Sequence, residues 1–415
     1  MGKEMGNELP TLLFVEECES TLSRSIASNL GVRVVLLRFE GVVFSSAHLK
    51  RTEHLPCFTL EKVDSVERAA AKFRVFCEER EIAITHFFND SEYFQERVQQ
   101  FAWELGLSGA LDARQSLLVR DKGAMKDLLA DLGYRTMQYG NLTCIGDALS
   151  FAANHGGYPF IVKWRKGMSS KEVYRIESQS QLVEINLDFS KRRYIAETFC
   201  PDKIWCFDSL VQNGRLVGTF LTWLPFTNLS FAEKKDKFVQ ITVSEVPSEI
   251  AFDGREITQR IIDSIGLKDG YMQVEIFVTP EGQPIVCEFC WRTAGEHMLS
   301  NQGRAFGVDV CVLLTDIMVG RQIKPLPLTG LTCVGDMFLP IQTGLIRRIS
   351  TYDELGSLDG VFDGEVFYKE GDRVEERRQY TSCAGWVQVG GATKEEVLKR
   401  MLEVYEKFIL EVGAD

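Results

Sequence analysis

Glu275 and Glu288 are carboxylates set inside apolar runs, in GYMQVEIFVTP and QPIVCEFCW, with a short turn at Glu281-Gly282 between them. A strand interior rarely holds a charge without a partner, so each calls for an explanation. Two strands joined by so short a turn can direct both side chains into one pocket. Facing carboxylates repel and raise one pKa, unless a hard, oxygen-preferring cation such as Mg²⁺ joins them. Arg292 follows Glu288, and its planar fork suits a phosphate or the charge of a phosphoryl group in transit. Upstream, FIVKWRKGMSSKEVYRI puts Lys163 at the end of an apolar strand, before a turn with Gly167, Ser169 and Ser170. Backbone N–H groups and hydroxyls of such a turn can wrap a triphosphate, with lysine as a point charge. Taken singly, each feature has a plainer reading: a hairpin with solvated lysines, or a core acid neutralised by Arg292. The order lysine loop, paired acids, arginine is what argues for a nucleotide–magnesium site.

The elements that must position these residues read as α/β. TLLFVEE is a short apolar strand, an amphipathic stretch runs from Ser20 to Leu30, and VRVVLLRF is a second strand. This β-α-β opening with short connections predicts a wound parallel sheet. Its first turn, EECESTLSRS, has no glycine and so lacks the GxGxxG that admits a dinucleotide pyrophosphate. SVERAAAKFRVFCEERE, IAITHFF and SEYFQERVQQFAWELG continue the alternation as helix, strand and helix, up to a boundary near Asp112. Beyond it, RDKGAMKDLLADLGY predicts a helix ending at Gly133, and RYIAETFC a strand. IWCFDSLVQNGRLVGTFLTWL predicts two strands turned at Asn213-Gly214, and REITQRIIDSIGL a helix. TKEEVLKRMLEVYEKFILEVG reads as one final amphipathic helix, started at Thr393 with acids in its first turn.

The totals narrow the function classes. A length of 415 residues suits about three domains, and 45% hydrophobic with 26% charged residues is globular. A net charge of -12, spread along the chain, opposes nucleic-acid backbones or anionic membranes as partners. Eleven cysteines form no disulfide framework. Cys287-Glu-Phe-Cys290 is a CxxC match, but no second Cys or His pair is near it, and strand alternation would turn the two thiols to opposite faces. Reduced thiols are the expectation. MGKEMGNELP has no apolar signal core, Gly6 stands where a myristoylation signal has Ser or Thr, and no window approaches a membrane span. The default expectation is a soluble cytoplasmic protein.

Through RDKGAMKDLLADLGY, YPFIVKWRKGMSS, YIAETFC, GYMQVEIFVTPEGQPIVCEFCWRTAG and GWVQVGGATKEEVLKRM the chain resembles the ATP-grasp enzymes, in particular carboxylate–amine ligases of the L-amino acid ligase-like branch. The resemblance implies an ATP-grasp fold with an N-terminal wound parallel α/β domain over 1–112 and an ATP-grasp domain over 113–320. It implies an ATP-binding lid subdomain over about 150–225 and a mixed α+β C-terminal lobe over 321–415. ATP and Mg²⁺ are the implied cofactors. Lys122 and Lys163 would contact the phosphates, and Gly167, Ser169 and Ser170 would lie in the loop that closes over them. Glu197, Thr198, Phe199 and Cys200 match the hinge whose backbone reads adenine, and Asp202 is taken for the ribose. Glu275 and Glu288 match the magnesium ligands, and Arg292 the arginine beside an acyl phosphate. His297, just past the motif, is a candidate base for the incoming amine. Arg304 is a further candidate partner for a substrate carboxylate.

Two positions depart from the family pattern. Cys290 stands where members commonly carry Asn, and Pro201, Asp202 and Lys203 stand where many have Gly and then an acid. The implied reaction joins a small-molecule carboxylate and an amine, both amino-acid-like, through an acyl phosphate, with no nucleic acid or membrane partner and a possible homodimer. Two alternatives accompany it. One is a carboxylase-like enzyme activating bicarbonate, although no biotin-carrier segment is read in the chain. The other is a nucleotide-binding regulatory protein without turnover, which Cys290 keeps open.

Overall fold

The computed structural model describes residues 9–26, 28, 31–168, 170–185, 187–233, 237–295, 297–375 and 383–413, and every count below is of these residues. Thr11–Val15, Arg33–Phe39, Cys57–Leu60 and His86–Asn89 make a parallel sheet, in the spatial order Cys57–Leu60, Arg33–Phe39, Thr11–Val15, His86–Asn89. Both faces of this sheet are covered, which is why TLLFV is apolar without alternation. Leu13 and Val15 pack with Phe73, Val98 and Phe101 of the helices Val66–Glu78 and Gln95–Glu104. Leu12 and Phe14 face the other way, onto Leu314 and Ile317 of the helix Val310–Met318. The second contact docks the N-terminal domain on the rest of the chain. The short helix Ser46–Thr52 and the strand Cys57–Leu60 escape the sequence pattern, because neither is long enough to show a period.

An antiparallel sheet follows, in the order Tyr139–Leu142, Tyr194–Thr198, Phe160–Trp164, Val173–Ile176. With the helices Ile145–Asn154 and Gln179–Glu184 it encloses a small core of its own, including Phe151, Phe160, Val162, Ile176 and Leu182. This is the lid.

The main body is an eight-stranded antiparallel sheet. Its order is Pro284–Cys290, Gly270–Val278, Lys203–Gln212, Arg215–Leu224, Val239–Val243, Cys333–Leu339, Gly385–Gly391, Val361–Val366. Lys203–Gln212 and Arg215–Leu224 fall inside the stretch expected for the lid, yet they pair in this sheet. Their turn is the expected one, with Asn213 at φ 53° and Gly214 at φ 74°, the left-handed pair of a tight hairpin. Three strands from beyond residue 321 extend the same sheet, so the C-terminal segment and the strands before it share one layer. The final amphipathic segment is a helix only over Lys394–Lys407. Phe408, at ψ 123°, leaves the helical region, and Leu410–Gly413 pairs as a strand with Gly344–Ile349. Apolar residues at Ile409, Leu410 and Val412 fit either period over so few positions. None of the described helices is long and apolar enough to cross a membrane.

Behind the sheet runs the helix Gly254–Ile265. Asp253 caps it by accepting from the backbone N–H of Arg255 and Glu256, and Gly266 ends it at φ 81°. Ile257, Ile261, Ile262 and Ile265 form its buried face. Gly254 touches Phe207 so closely that an added Cβ would lie 2.1 Å from the ring. Gly254→Ala should therefore overpack this joint and lower stability by about 2 kcal/mol, read as a lower urea midpoint. An unchanged midpoint would mean that the ring yields freely.

Candidate active site

A cavity of about 700 Å³ opens where the lid, the main sheet and the N-terminal domain meet. It gathers most of the residues singled out from the sequence. Lys122, Lys163, Gly167 and Ser170 line one part, Glu197, Thr198, Phe199 and Cys200 the lid hinge, and Glu275, Glu288 and Arg292 the sheet floor. Ser169 lies outside the described residues.

The floor is set by register. Glu275 stands directly opposite Glu288, and Gln273 opposite Cys290, on the paired strands Gly270–Val278 and Pro284–Cys290. The pairing slips just past Glu275, where Ile276 faces Val286 and Cys287 becomes the extra residue of a bulge. Bulges re-aim side chains and break alternation. For that reason Cys287 and Cys290 both line the cavity, contrary to the opposite faces that strict alternation predicts.

Cations and carboxylates interlock around this floor. Lys163, from the lid strand Phe160–Trp164, lies 3.0 Å from Glu197 and 3.5 Å from Glu288. Lys122, at the start of the helix Lys122–Asp131, lies 3.4 Å from Glu288 and donates to the carbonyl of Gly167 at 2.8 Å. Lys126, one turn further along that helix, lies 3.1 Å from Glu197. Burial alone would raise the Glu288 carboxyl, but Lys122, Lys163 and Lys126 outweigh it and hold it at about 2. Glu197 is likewise held below its ordinary range, burial being outweighed by Lys126 and Lys163. Glu275 goes the other way: burial, then the neighbouring Glu288 charge, push it up to about 8. Among the described residues no three His, Cys, Asp or Glu side chains converge as a metal site. A pair of facing carboxylates does suit Mg²⁺, which takes one or two and completes its shell from phosphate and water. The mutual repulsion of Glu275 and Glu288 is what a cation there would relieve.

Arg292 is reached from two sides. Its Nε and Nη2 donate to Glu92, at 2.9 and 2.7 Å, and its Nη1 donates to Gln273 at 3.1 Å and to the carbonyl of Thr293 at 2.6 Å. Glu92 follows the strand His86–Asn89, beside Thr11–Val15, where the parallel sheet changes direction of winding. That is the place such sheets offer to ligands, so topology could have pointed to Glu92. Lys126 was signalled by its i,i+4 spacing from Lys122, and Gln273 by sharing the strand face of Glu275.

Three candidates are not brought to the cavity. Asp202 turns back instead, accepting from the Cys200 thiol at 3.6 Å. His297 stacks on Trp386, ring centroids 3.8 Å apart, and burial with the Arg24 guanidinium holds its imidazole at about 4. It is neutral near pH 7 and a weak base. Arg304 lays its guanidinium over Phe362 at 3.7 Å.

Two measurements follow from these contacts. Glu197→Gln removes the buried counter-charge of Lys126 and one of the two carboxylates beside Lys163, so stability should fall by about 3 kcal/mol in a denaturant titration. The folded pKa of His297 lies below its unfolded value of about 6.5, so stability is unaffected above that pH and falls as the pH drops toward 4. At about pH 5 the loss from this group is about 2 kcal/mol. His297→Phe, which preserves the stack, should therefore show a smaller drop in Tm between about pH 7.5 and about pH 5 than the wild type. Equal drops would mean that His297 titrates normally.

Known proteins share this architecture. Residues 337–413 match the family described as L-amino acid ligase C-terminal domain 2. An L-arginine-specific L-amino acid ligase from Bacillus subtilis is 23% identical over 274 residues, 63% of this chain and 65% of that protein. The match thus spans just under two thirds of that relative. The crystal structure of L-amino acid ligase from Bacillus licheniformis superposes with a TM-score of 0.76 at 17% identity, covering 97% of this chain and 99% of that one. The biotin carboxylase domain of Hydrogenobacter thermophilus 2-oxoglutarate carboxylase, solved with MgADP and bicarbonate, gives 0.69 at 16% identity, covering 98% and 91%. The chain shares the fold of these solved structures, and residues 337–413 match the L-amino acid ligase C-terminal domain 2 family.

Proposed function

We propose that the protein is an ATP-dependent carboxylate–amine ligase acting on small, amino-acid-like substrates. The observation that carries this reading is the juxtaposition within one cavity of Lys122, Lys163 and the Glu275–Glu288 pair with Arg292, which borders the winding switch of the N-terminal sheet. In the reaction, a substrate carboxylate oxygen attacks the γ-phosphorus of ATP and ADP departs. The amine nitrogen then attacks the acyl carbon, the C–O bond to phosphate breaks, and an amide forms with loss of the amine proton. Phosphoryl transfer asks for positioning and charge neutralisation rather than covalent help.

Lys163 is suited to that task, because Glu197 and Glu288 outweigh burial and keep its ammonium charged. Lys122 joins the loop carbonyl of Gly167 to Glu288, so it ties the position of the phosphate loop to that of the acid pair. Glu275 and Glu288 would hold Mg²⁺, which would neutralise phosphate charge. Arg292 would hold the phosphoryl group as it moves to the substrate carboxylate. The hinge from Glu197 to Cys200, with Met137, Ile161 and Phe277 around it, offers an apolar slot for the base. The match of residues 337–413 supports amide formation over bicarbonate activation. Among the described residues no two cysteines form a disulfide, which fits a reducing compartment such as the cytoplasm.

The test is phosphate release from ATP across a panel of acid and amine pairs, with mass spectrometry of the product. ADP formation that needs both an acid and an amine supports the ligase. Tight ATP binding without ADP across the panel would favour a regulatory protein. Glu288→Gln and Arg292→Ala should each lower amide formation by about 100-fold or more in protein that remains folded at assay temperature, with some loss of Tm because Lys122 and Lys163, or Glu92, lose a buried partner. Full turnover in either variant would overturn the residue roles.

A further inference from the structure

Asp208 lies in the strand Lys203–Gln212 with no exposed surface, and burial pushes its carboxyl up to about 7. Its position is explained by what it orients. Tyr271 donates its hydroxyl to Oε1 of Gln302 at 2.8 Å, which leaves the Gln302 NH₂ to donate to Oδ2 of Asp208 at 3.1 Å. The other oxygen, Oδ1, accepts from the NH₂ of Gln273 at 3.0 Å. The Gln273 amide is thereby fixed in one sense, NH₂ toward the dry interior and Oε1 toward the cavity. There Oε1 accepts from Nη1 of Arg292 at 3.1 Å and from the thiol of Cys290 at 3.5 Å. Were the amide reversed, its NH₂ would meet the guanidinium donor to donor.

We propose that Gln273, locked by Asp208 and supported by Cys290, is a positioning residue that sets the guanidinium of Arg292 for the phosphoryl group. Cys290 then acts as a hydrogen-bond donor to this amide and not as a metal ligand. The inference rests on the reading of Arg292 as the phosphate-holding arginine.

The decisive experiment titrates inorganic phosphate into the full chain saturated with MgADP, by calorimetry. Phosphate affinity should fall about 10-fold in Gln273→Met and no further when this change is added to Arg292→Ala. Cys290→Ala should weaken phosphate as well, and Cys290→Ser, which keeps a donor, should restore it. Cys290→Ala leaves the Asp208–Gln273 bond in place, so it decides the matter even if Gln273→Met fails to fold. In turnover, kcat should fall with the KM for ATP unchanged. Wild-type phosphate affinity in either Gln273→Met or Cys290→Ala overturns the relay. So does an equal further loss in the Arg292→Ala background. Phosphate affinity lost in Arg292→Ala but kept in Gln273→Met overturns the relay while leaving the ligase reading standing. If the wild type makes no ADP with any acid and amine, the ligase reading fails, and the phosphate titration still decides the relay.

Discussion

The lid and the main body are held in register by one buried ion cluster. Lys163 and Glu197 come from the lid sheet, Glu288 from the main sheet, and Lys122 and Lys126 from the helix between them. Burying charge is costly unless every member is paired, so the cluster tolerates few arrangements of its five side chains. It fixes where the lid strands sit over the floor. It also concentrates positive charge where a triphosphate would need it, so one set of contacts serves architecture and ligand alike. The helix bearing Lys122 and Lys126 faces both glutamates only because the two lysines are one turn apart.

A second linkage ties in the N-terminal domain. Glu92, past the edge strand of the parallel sheet, reaches Arg292, just past the edge strand Pro284–Cys290 of the main sheet. The docking face of Leu12 and Phe14 on the helix Val310–Met318 holds these two elements at the distance that the pair needs. The floor of the cavity is thus assembled from distant parts of the chain, and no single segment contains it.

Much of this was legible in the chain itself, for a physical reason. Glu275, Glu288 and Lys163 are charges in apolar strands, and such charges are rare enough to declare themselves. The wound opening, the Asn213-Gly214 hairpin and the helix ending at Gly266 follow from period and turn chemistry. Glu92, Lys126 and Asp208 were passed over: the winding switch and the i,i+4 spacing are weak signals for the first two, and Asp208, though also a charge in an apolar strand, takes its meaning from partners in other segments. Glu92 and Arg292 are 200 residues apart. His297 erred in the opposite sense: closeness in sequence to Arg292 did not bring it to the cavity, since its turn directs the ring onto Trp386. The two thiols of the CxxC match were misplaced by a bulge, a feature that leaves no mark in the hydrophobic pattern. Sheet membership was hidden too, because a strand's partners are set by the whole fold and not by its own composition.

The shared eight-stranded sheet also bears on how the chain reaches its native state. Val239–Val243, VQITV, is uncharged, rich in β-branched residues and buried throughout, and its neighbour on one side is Cys333–Leu339. Until that strand emerges from the ribosome, nearly a hundred residues later, VQITV is the bare margin of a growing sheet. Such a margin is a template for pairing with other nascent chains. The strands that finish the sheet thus double as its guard during synthesis.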